Sequence, residues 1–377
     1  MEHWDEIVTD DRLRLDDAEA HLEDLSSDAY LFDRYHVVST GGTTGRRGVF
    51  VYDWDGWATC WWTVARFEIR ARRRDAALAG APAVGATVLS HSARHIGSSM
   101  FQTFATGETE WHRFPVTLPM AEIVAGLNAV QPTLLVGYAS SLHPLVHGAE
   151  AGRLRISPRR IQTPGEPLLP EIRTALAATW DAAVVNVWGA TEFGVAAGCG
   201  ESGGVHLSED AAIIELVDVD WRPVPTGVRS DKIFVTNLHN HALPVIRYEI
   251  TDELTALDRP CPCGSTFPLV GDPNGRLDDC FHYGGVPVHP HVFRSALGNC
   301  RPLVEYQVCQ TPRGAAIAVR ATGPFDGRGL ETEIAAGLAR LGIPQPEVTV
   351  TAVDHIERQY SGKLKRFVPL APPGPGR

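Results

Sequence analysis

Ser39-Thr40-Gly41-Gly42-Thr43-Thr44-Gly45 lies between two short apolar, β-branched runs. Its glycines can take positive φ and let the backbone approach a ligand closely. Successive N–H groups, helped by the hydroxyls, then form a concave nest for anionic oxygens. A Walker-type loop would continue through Gly-Lys-Ser or Gly-Lys-Thr into a helix. Here Arg46-Arg47-Gly48 leads into the strand-like VFVY, so strand–loop–strand is expected, a flap suited to a triphosphate. A second group, Asn186-Val187-Trp188-Gly189-Ala190-Thr191-Glu192, supplies an aromatic face, a Gly–Ala turn, a hydroxyl and a carboxylate at the end of an apolar strand. Open α/β sheets bind ligands at such ends. The third group is Cys199, His206, Cys261 and Cys263. Thiolates and imidazole in this number suit a closed, four-coordinate structural Zn²⁺.

These side chains need a scaffold. Residues 83–90, 133–136 and 182–187 read as strands, and residues 121–129 and 170–180 as helices. The last of these begins on a proline, whose missing N–H costs nothing at that position. Such alternation predicts doubly wound α/β subdomains. Residues 1–36 read as acidic helical segments. Trp57, Trp61, Val64 and Phe67 recur at helical spacing, and Arg66, Arg70, Arg72, Arg73 and Arg74 are expected to form that helix's solvated face. From about Gly204 the texture turns β-rich, with strands over 212–219, 232–238 and 243–250 in a small barrel-like sheet. Asp272-Pro273-Asn274-Gly275 is a linker signal. It divides the chain into a large domain, 1–273, and a small α+β domain, 274–377, with a helix over 326–341. The tail, 371–377, is expected to be disordered.

Taken in order, these and further motifs resemble those of the adenylate-forming ligases (acyl-CoA synthetases and relatives), most closely the phenylacetate–CoA ligase and coenzyme F₃₉₀ synthetase-like branch. The opening loop resembles S-S/T-G-T-T-G-x-P-x-G, departing in its inserted second glycine and in Arg46-Arg47. Thr163-Pro164-Gly165-Glu166-Pro167 resembles a G-G-E-P-like turn, which implies that Gly165 and Glu166 line the adenine. Asn186–Glu192 resembles Y-G-x-T-E. That resemblance places Asn186, Trp188, Gly189 and Ala190 around the nucleotide, Thr191 on the α-phosphate and Glu192 on Mg²⁺. Arg247-Tyr248-Glu249-Ile250-Thr251-Asp252 resembles R-Y-R-T-G-D, with Thr251 in place of Gly, and implies that Asp252 accepts hydrogen bonds from both ribose hydroxyls. Gly275-Arg276-Leu277-Asp278-Asp279 resembles G-R-x-D-D, which puts Arg276 on the ribose and Asp278 at the hinge of a mobile C-terminal domain. Ser361-Gly362-Lys363 resembles the S/N-G-K loop, with Lys363 as the catalytic lysine. The same branch carries C…H…C-x-C where Cys199, His206, Cys261 and Cys263 stand.

The resemblance therefore implies an α/β enzyme that uses ATP and Mg²⁺ to activate a small aromatic carboxylic acid as an acyl-AMP. The acyl group then passes to a thiol, CoA foremost. His91, His95, Ser98, Phe101, Gly137, Tyr138 and Ser140 fall where the family's acid pocket lies, and their mix suits a flat aryl acid with a polar substituent. Two alternatives stay open within the chemistry, an amide-forming ligase and an enzyme activating nitrite for diazotisation of an aryl amine. A nucleotide-binding non-enzyme is the third, and Glu192, Asp252, Arg276 and Lys363 together argue against it. The phosphate loop comes early compared with the branch, so part of the N-terminal subdomain is expected to be missing or rebuilt. No stretch identifies a CoA site.

Composition narrows the partners. Of 377 residues, 34 are basic and 45 acidic, giving a net charge of −11. That balance disfavours nucleic acid and anionic membranes. No apolar run reaches the roughly 18 residues of a membrane span. The acidic N-terminus lacks the apolar core of a secretion signal, so a cytoplasmic location is expected. The seven cysteines are irregularly spaced and read as reduced thiols or metal ligands. Cys60, Cys280, Cys300 and Cys309 read as core or surface thiols. Small molecules are the expected partners, with a homodimer left open.

Overall fold

The structure is a computed structural model. It describes residues 3–40, 48–74, 83–104, 109–199, 203–273, 279–284, 286–288, 290–298, 300, 302–359 and 364–370. They fall into two compact units that part at Asn274–Gly275.

In the first unit, α1 (Trp4–Ile7) and α2 (Leu15–Asp24) precede an antiparallel hairpin of β1 (His36–Ser39) and β2 (Val49–Tyr52), with Ser39 opposite Val49. The long α3 (Trp54–Arg74) follows. Strands and helices then alternate: β3 (Ala83–Leu89), α4 (Ile96–Phe104), β4 (Thr109–Pro115), α5 (Met120–Val130), β5 (Leu134–Gly137), α6 (Ala139–Glu150), β6 (Arg160–Pro164), α7 (Pro170–Trp180) and β7 (Ala183–Ala190). The strands lie side by side in the order β4-β3-β5-β6-β7, all parallel. Antiparallel β8 (Gly194–Cys199), β9 (Gly204–His206) and β13 (Leu269–Val270) extend the sheet beyond β7.

Alternation along each strand explains the two covered faces. Ala86, Val88, Leu135 and Ile161 pack with Ile123, Leu142, Leu145 and Ile172 of α5, α6 and α7. Leu89, Leu134, Val136 and Tyr138 point the other way, beside Phe101 of α4 and Trp111. Each such buried side chain stabilises the fold by roughly 1.5–3 kcal/mol. Gly85 lets β4 lie close, since a Cβ there would stand 2.4 Å from the Trp111 ring. α7 starts on Pro170 and stops at Asp181, whose φ of 48° cannot continue a helix. This doubly wound arrangement bears out the expected fold class.

Two expectations need correction. The β-rich stretch builds an open three-stranded antiparallel sheet of β10 (Ala212–Val217), β11 (Lys232–Asn237) and β12 (Tyr248–Ile250), with no barrel among the described residues. Its inner face buries Ile233, Val235 and Ile250 against Trp188 and Phe193, so closure is unnecessary. The arginine face of α3 is only partly solvated. Arg66 pairs with Asp210 and lies over the Phe267 ring at 4.6 Å, and Arg74 donates to the carbonyl of Cys263 at 2.6 Å. The helix spans the back of the sheet, so its basic side chains reach partners far off in sequence.

The second unit contains β14 (Phe281–Tyr283), β15 (Val286–Val288), α8 (His291–Leu297), β16 (Leu303–Thr311), β17 (Gly314–Ala321), α9 (Gly327–Arg340), β18 (Glu347–Ala352) and β19 (Phe367–Val368). Its main sheet runs β18-β17-β16-β19. Leu330, Ile334 and Leu338 of α9 recur at helical spacing and bury against it, and Asp326 caps that helix by accepting from Gly329 N at 2.8 Å. Residues 371–377 lie outside the described residues. No helix among the described residues is long and apolar enough to cross a membrane.

Candidate active site

The parallel strands end together, and their carboxyl edge collects most of the residues singled out above. β3 runs into His91, β5 into Tyr138 and Ser140, β6 into Gly165 and Glu166, and β7 into Thr191 and Glu192. This is the edge at which α/β sheets bind ligands, beside the point where β4 and β5 leave β3 on opposite sides.

Hydrogen bonds fix several of these groups. Gly165 takes φ 76°, which needs a glycine, and the turn presents the Glu166 carboxylate to both the backbone N–H and the hydroxyl of Ser140, each at 2.9 Å. The Trp188 indole N–H donates to Asp252 at 2.7 Å, and both side chains are buried. Asn186 points elsewhere, donating to Asp272, which Arg173 also grips. Gly189 and Ala190 are strand residues opposite Val195 and Gly194, so the turn falls on Thr191-Glu192-Phe193. Gly194, at φ 83°, lets the chain reverse there. Gly198 lets β8 hug β7, because a Cβ there would stand 1.7 Å from the Asn186 carbonyl. At the loop neck, Gly48 N donates to Thr40 Oγ1 at 2.8 Å and Ser39 N to Arg94 O at 2.8 Å. Gly41, Gly42, Thr43, Thr44 and Gly45 lie outside the described residues, as do Arg276, Asp278 and Lys363.

Phe101 sits edge-on to Trp111 at 4.9 Å and to Trp61 at 6.0 Å, an aromatic wall on the sheet face that also carries Tyr138. Burial, reinforced by the nearby Glu166 carboxylate, pushes the Tyr138 phenol up to about 12, so it stays a donor. Burial, with Arg113 adding to it, lowers His91 to about 4 and keeps its ring neutral. His91 Nε2 and the Ser98 hydroxyl are buried without a hydrogen-bond partner among the described residues. Gly137 closes β5, where a Cβ would stand 2.5 Å from Leu142. His95 stands just ahead of α4.

A separate cluster lies at the far end of the sheet. The ligand atoms of Cys199, His206, Cys261 and Cys263 all lie within 4.8 Å of one another, and all four residues are buried. Cys199 Sγ is 3.3 Å from Cys261 Sγ, and Cys263 Sγ is 3.3 Å from His206 Nε2. A tetrahedral ion with bonds of about 2.0–2.3 Å fits such spacings. His206 Nδ1 donates to the Phe267 carbonyl at 3.0 Å, which leaves the Nε2 lone pair facing the thiols. Phe67 stacks on the same ring at 5.7 Å, and Arg74 holds the carbonyls of Pro262 and Cys263. All these supports are structural, and the donor set fits Zn²⁺.

Some partners carry no local signal in the sequence. Tyr52, Asp272 and Asn237 contact the candidate nucleotide residues from elements 45 to 139 positions away. Only the fold brings them near.

No family model matches the chain. Residues covering 50% of it are 31% identical to the phenylacetate–CoA ligase of Thermus thermophilus over 207 residues, and the match spans 44% of that ligase. The chain thus covers less than half the length of the curated relative it matches. Among solved structures, 2-hydroxyisobutyryl-CoA ligase in its postadenylation state is similar with a TM-score of 0.73 over 94% of this chain and 78% of its own, at 19% identity. The fold is that of the adenylate-forming ligases. An amide bond synthetase from Marinactinospora thermotolerans shares this ligase fold at TM-score 0.62 and 16% identity, over 88% of this chain and 67% of its own. ATP-bound MatB from Rhodopseudomonas palustris does so at 0.60 and 18%, over 90% and 67%.

Proposed function

We propose that this chain is an ATP- and Mg²⁺-dependent ligase that converts a small carboxylic acid to its acyl-AMP and passes the acyl group to CoA. The observation that carries this reading is the Thr191–Glu192 turn beside the Trp188–Asp252 pair at the carboxyl edge of an adenylate-forming ligase fold. Thr191 would meet the α-phosphate and Asp252 the ribose. Glu192 would hold Mg²⁺, which supplies positive charge to the phosphate oxygens. The bond from Trp188 Nε1 would fix the orientation of the Asp252 carboxylate toward the sugar. Asn186, engaged by Asp272, would shape the site through the strand rather than by touching the nucleotide. The neutral His91, the Ser98 hydroxyl and the Phe101–Trp111 wall favour a flat acid with a polar substituent. Residues 274–377 would act as the lid, turning about Asp278 and carrying Lys363. Zn²⁺ at Cys199, His206, Cys261 and Cys263 would brace the sheet end.

The likeness to an amide bond synthetase supports a second reading, in which an amine accepts the acyl group. Acid-dependent ATP–pyrophosphate exchange over a panel of aryl and alkyl acids tests the first half-reaction. Following product formation with CoA or an amine as acceptor, and with nitrite and an aryl amine in place of the acid, separates the alternatives. Thioester formation from an aryl acid is the expected result; no exchange with any acid would sink the proposal.

A further inference from the structure

The candidate adenylating turn is gripped from behind. Tyr52, the last residue of β2, is fully buried, and its hydroxyl donates to the Thr191 carbonyl at 2.6 Å. Asn237, the last residue of β11, donates its Nδ2 to the Glu192 carbonyl at 3.3 Å. Two successive carbonyls are thus held by side chains from two elements. The peptide joining Thr191 to Glu192 cannot rotate without breaking the Tyr52 bond and leaving a buried carbonyl without its donor.

The floor under this grip is close-packed. Cys60 lies against Gly194, where a Cβ would stand 2.8 Å from its sulfur. Its Sγ meets His239 Nε2 at 3.1 Å, while His239 Nδ1 faces the Ala211 carbonyl at 3.0 Å. A carbonyl only accepts, so Nδ1 carries the proton and Nε2 accepts from the thiol. Tyr52 stacks on His239 at 6.5 Å and leans on Trp57 at 5.8 Å. Burial raises Tyr52 well above its ordinary range, so it remains a donor. Burial also raises the Cys60 thiol, which excludes it as a nucleophile.

We infer that Tyr52 is a positioning residue: its hydroxyl fixes the plane of the Thr191–Glu192 peptide and hence the direction of the Thr191 hydroxyl and the Glu192 carboxylate. β2 is also the strand that receives the chain from the Gly/Thr loop. One strand therefore both pairs with Ser39 at the stem of that loop and holds the Thr191–Glu192 turn. This inference rests on the adenylation reading for its kinetic consequence, but not for its structural one.

Tyr52→Phe keeps the ring and removes the hydroxyl. Tyr283→Phe is the matched control, because Tyr283 donates to the Gly314 carbonyl at 2.7 Å in the second unit and is likewise buried. Amide hydrogen–deuterium exchange across residues 188–198 should quicken in Tyr52→Phe and stay at wild type in Tyr283→Phe. The maximal rate of acid-dependent pyrophosphate exchange should fall about ten- to a hundredfold, as for a small misplacement of reacting groups. The Mg²⁺ concentration for half-maximal rate should rise several-fold while KM for the acid holds, and Tyr283→Phe should keep all three. Unchanged protection of 188–198 in Tyr52→Phe overturns the inference whatever the chain activates. A wild-type rate and Mg²⁺ dependence in a folded Tyr52→Phe does so as well. Absence of exchange in the wild-type chain overturns the ligase reading instead, and the protection measurement still decides the role of Tyr52.

Discussion

Lys363 stands in Ser361-Gly362-Lys363, outside the described residues, and its proposed task is to stabilise charge as a carboxylate attacks the α-phosphate. One preorganised donor of that kind contributes roughly 3–4 kcal/mol to a transition state. Lys363→Ala should therefore lower acyl-AMP formation by about 10²–10³-fold, read as initial acid-dependent pyrophosphate release. A rate within a few-fold of wild type would remove Lys363 from the chemistry. At this scale the sequence names residue types well and their partners badly. Asp252 and Trp188 are both visible as motif residues, yet their mutual hydrogen bond spans 64 positions and has no local pattern. The Gly–Ala turn was legible as a turn but misplaced. Gly189 and Ala190 can extend a strand as readily as break one, and the reversal was decided by the positive φ of Gly194.

Elements were the most legible level, where periodicity is long and ends are marked. The 170–180 helix has proline at its start and a left-handed residue after its end, and the structure gives Pro170–Trp180. α3 shows the limit. Its apolar stripe was readable, but the fate of its arginines depended on Asp210 and on the Cys261–Cys263 loop, which only tertiary packing brings near. That contact gives the cysteine cluster a mechanical consequence. If Zn²⁺ holds Cys199 on β8, His206 on β9 and the two loop cysteines together, it also holds the carbonyls on which Arg74 rests. Protein purified without chelator should contain about one zinc per chain by elemental analysis, the ion that a closed set of this kind binds. Cys261→Ser should lose it and lower the melting temperature. Protein free of zinc, or Cys261→Ser with unchanged metal content, would end that assignment.

Across the whole molecule, acid stability follows from histidines that the fold keeps neutral. His36 is 2% exposed, stacked on Trp57 at 4.5 Å and met edge-on by Tyr30 at 4.3 Å. Burial lowers it to about 4, and Asp28, 3.7 Å from Nε2, does not offset this. Burial likewise lowers His91 to about 4, with Arg113 contributing, and moves His239 in the same direction. Between an ordinary value near 6.5 and these depressed values the unfolded chain binds protons that the folded chain does not. Stability must therefore rise with pH across about 4 to 6.5 and be lost as pH falls through that window. For His36 alone, two and a half pKa units correspond to roughly 3 kcal/mol once pH is below 4. All nine tryptophans precede residue 274, so their fluorescence reports unfolding of the first unit alone. In urea titrations followed by that signal, the midpoint should drop between pH 6.5 and 4.5. His36→Phe, which keeps the stacking and removes the titrating nitrogens, should flatten the slope by one histidine's share. An identical slope in the variant would mean that His36 takes up its proton inside the fold, and the stacked pocket around it would then have to open to admit water.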